Sequence, residues 1–199
     1  MRFFKENSDS IIKLFINQLG IGIFSFFLYT AAGSLEEKIK DALALKICIS
    51  VFAIAFYFVL IYNVAWEIGA KDKIRIDGKR MERDSKKGIL LGVYANIPNF
   101  VIVGISMIFL AVYLTSGSEW AKTTFALIDF GFRFFLLPTY VGVIQGLTSV
   151  IASENTALLV GNILFLVFPA LAAVITHVSY ILGLNDFRFF ATSKSHKKS

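Results

Sequence analysis

Asp129 and Arg133 stand four residues apart, a spacing that puts both on one face of a helix and lets them pair. Their neighbourhood is apolar, and an ionisable group at membrane depth costs about 2.5–3.5 kcal/mol on insertion scales. A pair kept there is expected to face a cavity, a partner or each other, which makes it a candidate ligand or ion site. The plainer alternative is a polar stripe of an interfacial helix, continued by Lys122, that faces water and headgroups.

Asn96, Pro98 and Asn99 form a second set. The proline frees a backbone carbonyl about one turn earlier, and the two amides bring donors and acceptors beside it. Transporters bind substrate at such breaks, so Asn96 and Asn99 are ligand-binding candidates; a kink patched by polar neighbours is the alternative. His177 could relay protons or bind a metal. No acid shares its apolar run and His196 is the one other histidine, so an interhelical hydrogen bond is the competing reading.

Residues 67–87 hold a mixed but strongly basic set: Lys71, Lys73, Arg75, Lys79, Arg80, Arg83, Lys86 and Lys87, interleaved with Glu67, Asp72, Asp77, Glu82 and Asp84. These bases are candidates for contact with anionic lipid or a protein partner, each contributing about 1 kcal/mol near an anionic surface. The alternative is an orientation signal in a solvated charge mixture. Ile74 and Ile76 alternate with charges before Asp77-Gly78, a hairpin signal that allows a small two-stranded tongue if it packs on something.

Other chemistry is missing. Cys48 is the single cysteine and lies in an apolar run, so neither an internal disulfide nor a zinc site is expected. Walker A, G-x-S-x-G and H-E-x-x-H signatures are absent, as is a basic-aromatic nucleic-acid module. No cofactor, no metal and no nucleic acid are expected.

The elements that must position these residues are apolar helices. The chain is 56% hydrophobic and 17% charged, against about 45–50% and 25% for an ordinary soluble domain. The apolar residues come in runs long enough to cross a bilayer. Four spans are expected at about 11–32, 42–66, 89–114 and 156–182, in a single membrane domain covering 1–199, with 67–87 as the hydrophilic loop. The first run exceeds a signal-peptide core in length and is expected to stay as a span.

Residues 119–153 divide at Pro138 into two short apolar helices, read as a re-entrant or interfacial pair; five or six spans is the alternative. The fold expected is therefore an all-α polytopic transmembrane helical bundle. By the excess of Lys and Arg in cytoplasmic loops, the 67–87 loop and N-terminus are placed in the cytoplasm. With four spans the C-terminus joins them. Gly88/Gly92 and Gly142/Gly146 have the G-x-x-x-G spacing of close helix packing or dimerisation. Asn17, Gln18, Asn63, Gln145 and Asn162 read as hydrogen-bonding glue between helices.

The functional expectation is a non-catalytic integral membrane protein, an accessory component or subunit of a membrane assembly, with transport assemblies included. Its expected partners are membrane lipids and a protein partner or a second copy of itself. The alternatives are a small solute transporter or channel in its own right and, third, a membrane-embedded lipid-modifying enzyme.

Overall fold

The computed structural model describes residues 2–33, 42–135 and 138–188; for residues 2, 42, 132–135 and 138 it describes the backbone alone. The described residues form six helices and no strand: α1 Arg2–Gly33, α2 Ala42–Asp77, α3 Lys87–Ser116, α4 Glu119–Phe135, α5 Pro138–Thr148 and α6 Glu154–Leu184. Of these, α1, α2, α3 and α6 are long and apolar enough to cross a membrane. Even α3, at 30 residues, extends about 45 Å, beyond a hydrocarbon core of about 30 Å. The chain is a multi-pass integral membrane protein built as a four-span helical bundle.

The four long helices share two ends. At one, here called the basic end, α1 begins, α2 ends, α3 begins and α6 ends. Lys13 meets Glu67 at 3.0 Å, Lys87 meets Asp72 at 2.7 Å and Lys73 meets Asp186 at 3.6 Å. At the opposite, far end, Ile144 and Thr148 of α5 approach Gly161 of α6, and Gly146 approaches Ile47 of α2.

The pair α4–α5 enters and leaves at the far end. Trp120, at the start of α4, packs edge-on against Phe109 of α3, and the Lys122 ammonium lies 5.5 Å from the Tyr113 ring centre. The first turn of α5 lies near mid-bundle: Thr139 bonds Ser25 of α1 at 3.2 Å, and Tyr140 stacks on Phe168 of α6 at 4.4 Å. Phe168 is about 21 Å along α6 from its far-end start at Glu154. From there α5 climbs back to Thr148. This is the re-entrant form of the expected pair. Two polar groups of α5 are bonded inside the bundle, with Tyr29 donating to Gln145 and the Gly142 amide donating to Ser50 at 2.8 Å.

The hydrophilic segment differs from expectation. Residues 67–77 are not loop and contain no hairpin strand; α2 runs unbroken through them to Asp77. The buried residues Ala65, Gly69 and Asp72 follow helical spacing, and Ile74 is 72% exposed, so the alternation with Ile76 hides no strand face. Asp77-Gly78 is a helix stop. The Arg80 amide bonds the Arg75 carbonyl at 2.9 Å and the Lys79 amide bonds Ile76 at 2.9 Å, with Lys79 left-handed at φ 55°. That is a Schellman ending with lysine where glycine is usual. α6 closes the same way, with Asp186 at φ 58° and Phe187 bonding Leu182.

Glycines set how closely the spans approach. A methyl on Gly69 would strike the Tyr180 carbonyl, and one on Gly183 the Trp66 carbonyl, so α2 and α6 cross backbone to backbone. Gly88 and Gly92 seat Tyr180 and Ala173 of α6, and Gly142 and Gly146 seat α5 on Lys46 and Ile47 of α2. Both G-x-x-x-G patterns therefore pack helices within this chain. The outward faces carry exposed Ile16, Phe27, Phe52, Val101, Ile108 and Val178, the surface that hydrocarbon covers.

Candidate functional site

Asp72 is the most deeply buried charged residue among the described residues, 2% exposed. The helical period of α2 turns it inward at the basic end, where α3 and α6 close over it. Lys87 holds its Oδ2 at 2.7 Å and the Tyr180 hydroxyl donates to the same oxygen at 3.0 Å. Arg75 lies 3.6 Å from Oδ1. Lys87 is itself largely buried, and burying a carboxylate is tolerable only with such partners. The group ties the first residue of α3 to α2 and α6.

Beside it opens a cavity of about 600 Å³. Glu6, Asp9 and Lys13 of α1 form one wall, and Glu67, Lys71, Asp72 and Arg75 of α2 another; Glu82, Asp84 and Lys87 close the third side. Glu67 is shared by Lys13 at 3.0 Å and Lys71 at 2.7 Å. Asp84 Oδ1 accepts from the Lys86 amide. Asp9 and Glu82 have no ion pair among the described residues. Acids outnumber bases on these walls, so the cavity favours a cationic or zwitterionic group over a simple anion.

The bases singled out in the sequence divide among several tasks. Lys71, Arg75 and Lys87 line the cavity. Lys73 of α2 reaches Asp186, and Arg83 of the α2–α3 connection donates to Asn185 at 3.1 Å, so both hold the residues that follow α6. Lys79 and Arg80 are exposed in the turn, and Lys86 is exposed before α3. Trp66 donates to the Phe187 carbonyl at 2.8 Å and lies under the Arg188 guanidinium, 3.7 Å from its ring centre.

The candidates of the apolar region sit elsewhere. Asn96 and Asn99 are buried in α3; Asn99 donates to Asn96 at 2.9 Å, and Asn96 donates to the Gly92 carbonyl at 2.9 Å. Asp129 is half-buried on α4, and the Arg133 side chain lies outside the described residues. His177 is on α6 one turn before Tyr180, beside Gly88, with Nδ1 buried and unpartnered among the described residues. None of the four described side chains among them, those of Asn96, Asn99, Asp129 and His177, lines the cavity. No cluster of three or more His, Cys, Asp or Glu among the described residues is placed to hold a metal ion.

Sequence reasoning missed Asp72, Tyr180, Glu67 and Lys13 as site residues. Extending the helical period of the second span past Trp66 would have put Asp72 on the same face as Ala65 and Gly69. Tyr180 carried no such signal, because only the crossing of α6 over α2 brings its hydroxyl to Asp72. No protein-family model, curated protein or solved structure matches this chain.

Proposed function

We propose that the protein is a non-catalytic component of a larger membrane assembly and that the charged cavity at the basic end receives a cationic or zwitterionic group of a protein partner. The observation that supports this is the cavity itself. It opens between α1, α2 and the α2–α3 connection, and its inner charges are locked in internal pairs. Those pairs hold the walls in place, while Asp9 and Glu82 remain for an incoming group. In this reading the basic end is cytoplasmic, because it carries Lys71, Lys73, Arg75, Lys79, Arg80, Arg83, Lys86 and Lys87. Lys79 and Arg80 then meet anionic headgroups.

A photocrosslinking residue in place of Met81, which lines the cavity, tests this in native membranes. The expected result is one discrete protein adduct, reduced by about tenfold or more when Asp9→Lys and Glu82→Lys reverse the free acids. Crosslinks to lipid alone, or a protein that stays monomeric with no adduct, would overturn the subunit reading.

A small solute transporter is the second reading. It is favoured by α4–α5, which enters from the far end and reaches mid-bundle, the kind of broken element that lines transport sites. It requires Asn96 and Asn99 to share a hydrated space with Asp129 or Arg133. The observed cavity is lined by none of Asn96, Asn99 and Asp129, which is why the first reading is preferred.

A further inference from the structure

α1 is bent near its start. At Asn7 the backbone leaves the helical region, with φ −124° and ψ 15°, and residues 2–6 form a separate turn ahead of the bend. Side chains cap that turn. The Asn7 amide donates to the Phe3 carbonyl at 3.0 Å, and the Ser8 hydroxyl to the Lys5 carbonyl at 3.4 Å.

The bend carries the turn across the basic end from α1 to α3. The Phe3 ring stacks on Tyr94 with ring centres 5.5 Å apart, and the Phe4 ring tilts against the same tyrosine at 6.1 Å. Phe3 is half-buried and packs on the cluster of Ile11, Leu14, Val64, Leu91 and Ala95. A straight helix would put Phe3 eight residues, about 12 Å, beyond Ile11. The bend is what returns its ring to that cluster. From Ile11 onward α1 is fixed, by the burial of Ile11 and Leu14 and by the Lys13–Glu67 pair. Phe4, Lys5 and Glu6 are exposed, so among the described residues nothing packs over the turn. Asn7 thus joins a fixed helix to a short piece held at one side, which is how hinges are built. Phe3, Glu6 and Asn7 also line the charged cavity, so the turn is part of its rim.

We propose that residues 2–6 are a strap at the rim of the charged cavity, hinged at Asn7 and latched by Phe3 and Phe4 on Tyr94, and that releasing the strap opens the cavity. What the opening admits rests on the docking reading above; the motion itself does not.

Spin labels at Lys5→Cys and Val101→Cys measure the strap against α3 in lipid nanodiscs, in a Cys48→Ser background because Cys48 is exposed. Both labelled positions are exposed. One narrow distance is expected for the latched strap. Tyr94→Ala is expected to broaden it and lengthen it by about 5–10 Å, as the turn swings outward from mid-bundle. Tyr94→Phe keeps the ring and should match the parent. An unchanged distance in Tyr94→Ala, or an equal shift in Tyr94→Phe, would overturn the ring latch. Should Tyr94→Ala fail to fold, the pair Phe3→Ala/Phe4→Ala, which alters the strap alone, decides in the same way. Opening is read separately at Ser10→Cys, which lines the cavity. Its reaction with a small methanethiosulfonate should rise about tenfold or more on loss of the latch, since thiolate reacts where water and reagent reach. Motion of the strap without that rise would overturn its control of the cavity. A moving strap with no protein adduct at position 81 removes the docking reading alone, and an adduct with an unmoving strap removes the strap alone.

Discussion

At Asp72 a carboxylate is carried almost entirely out of water and kept charged by what touches it. The nearer cation, Lys87, is nearly as buried and does most of the compensation; Arg75 is 62% exposed, and at 3.6 Å it adds less than about 1 kcal/mol. Removing one member strands the other. Lys87→Met is therefore expected to cost about 3–5 kcal/mol, whereas the double variant Asp72→Leu/Lys87→Met should lose far less than the two singles summed. Thermal unfolding of all three variants in one detergent checks this, and simple additivity would show that the pair is not coupled. Tyr180→Phe removes a hydroxyl bonded to a charged acceptor and should cost about 1.5–3 kcal/mol.

Among the helices, glycine positions separate cleanly into those that touch and those that do not. Gly69 and Gly183 lie where α2 and α6 cross with their backbones in contact, so an added methyl has only backbone to push against. Gly20 and Gly104 have open space where a methyl would go. Gly69→Ala and Gly183→Ala should each destabilise by about 1–3 kcal/mol or more, as overpacking does. Gly20→Ala and Gly104→Ala should be neutral or stabilise by up to about 1 kcal/mol through helix propensity. A thermal-shift series ranks the four, and a loss at Gly104 equal to that at Gly69 would contradict the crossing geometry. The same crossing explains the length of α2. Gly69 against α6 and Asp72 beneath Lys87 give its last turns tertiary support, so a segment that is hydrophilic by composition continues as helix.

For the whole molecule, the number of crossings decides sidedness. Four spans put the start of α1 and the end of α6 at one end, and a re-entrant α4–α5 puts the α3–α4 and α5–α6 connections together at the other. Ser116, the last residue of α3, and Ala152, in the α5–α6 connection, are exposed there, and Lys79 is exposed at the basic end. In a Cys48→Ser background, Ser116→Cys and Ala152→Cys are expected to label from the same side of the membrane, and Lys79→Cys from the opposite side, with an impermeant maleimide. If α4–α5 crossed instead, positions 116 and 152 would label from opposite sides. The outer faces of the bundle are consistent with this immersion. Large apolar residues such as Phe27, Phe52 and Ile108 are exposed on them, which hydrocarbon accepts and water does not.

What the sequence alone determined is what depends on solvent and local period. Runs of Phe, Ile, Leu and Val too long for a soluble core specify four membrane helices. Pro138, with charges on the segment before it, breaks the following apolar stretch in two and favours a pair over a fifth plain span, and the density of Lys and Arg marks one end. The glycine spacings announced close packing without naming the partner helix, because i, i+4 periodicity states a face and not what lies against it. The candidate site was legible only in fragments. Lys71, Arg75 and Lys87 stood out as bases, but their neighbours come from four separate segments. Asp72 and Tyr180 are 108 residues apart in sequence and meet only because α6 crosses α2 at Gly69 and Gly183. Which charges are locked in pairs and where a cavity opens are properties of that crossing, since burial and pairing depend on distances that no local pattern encodes.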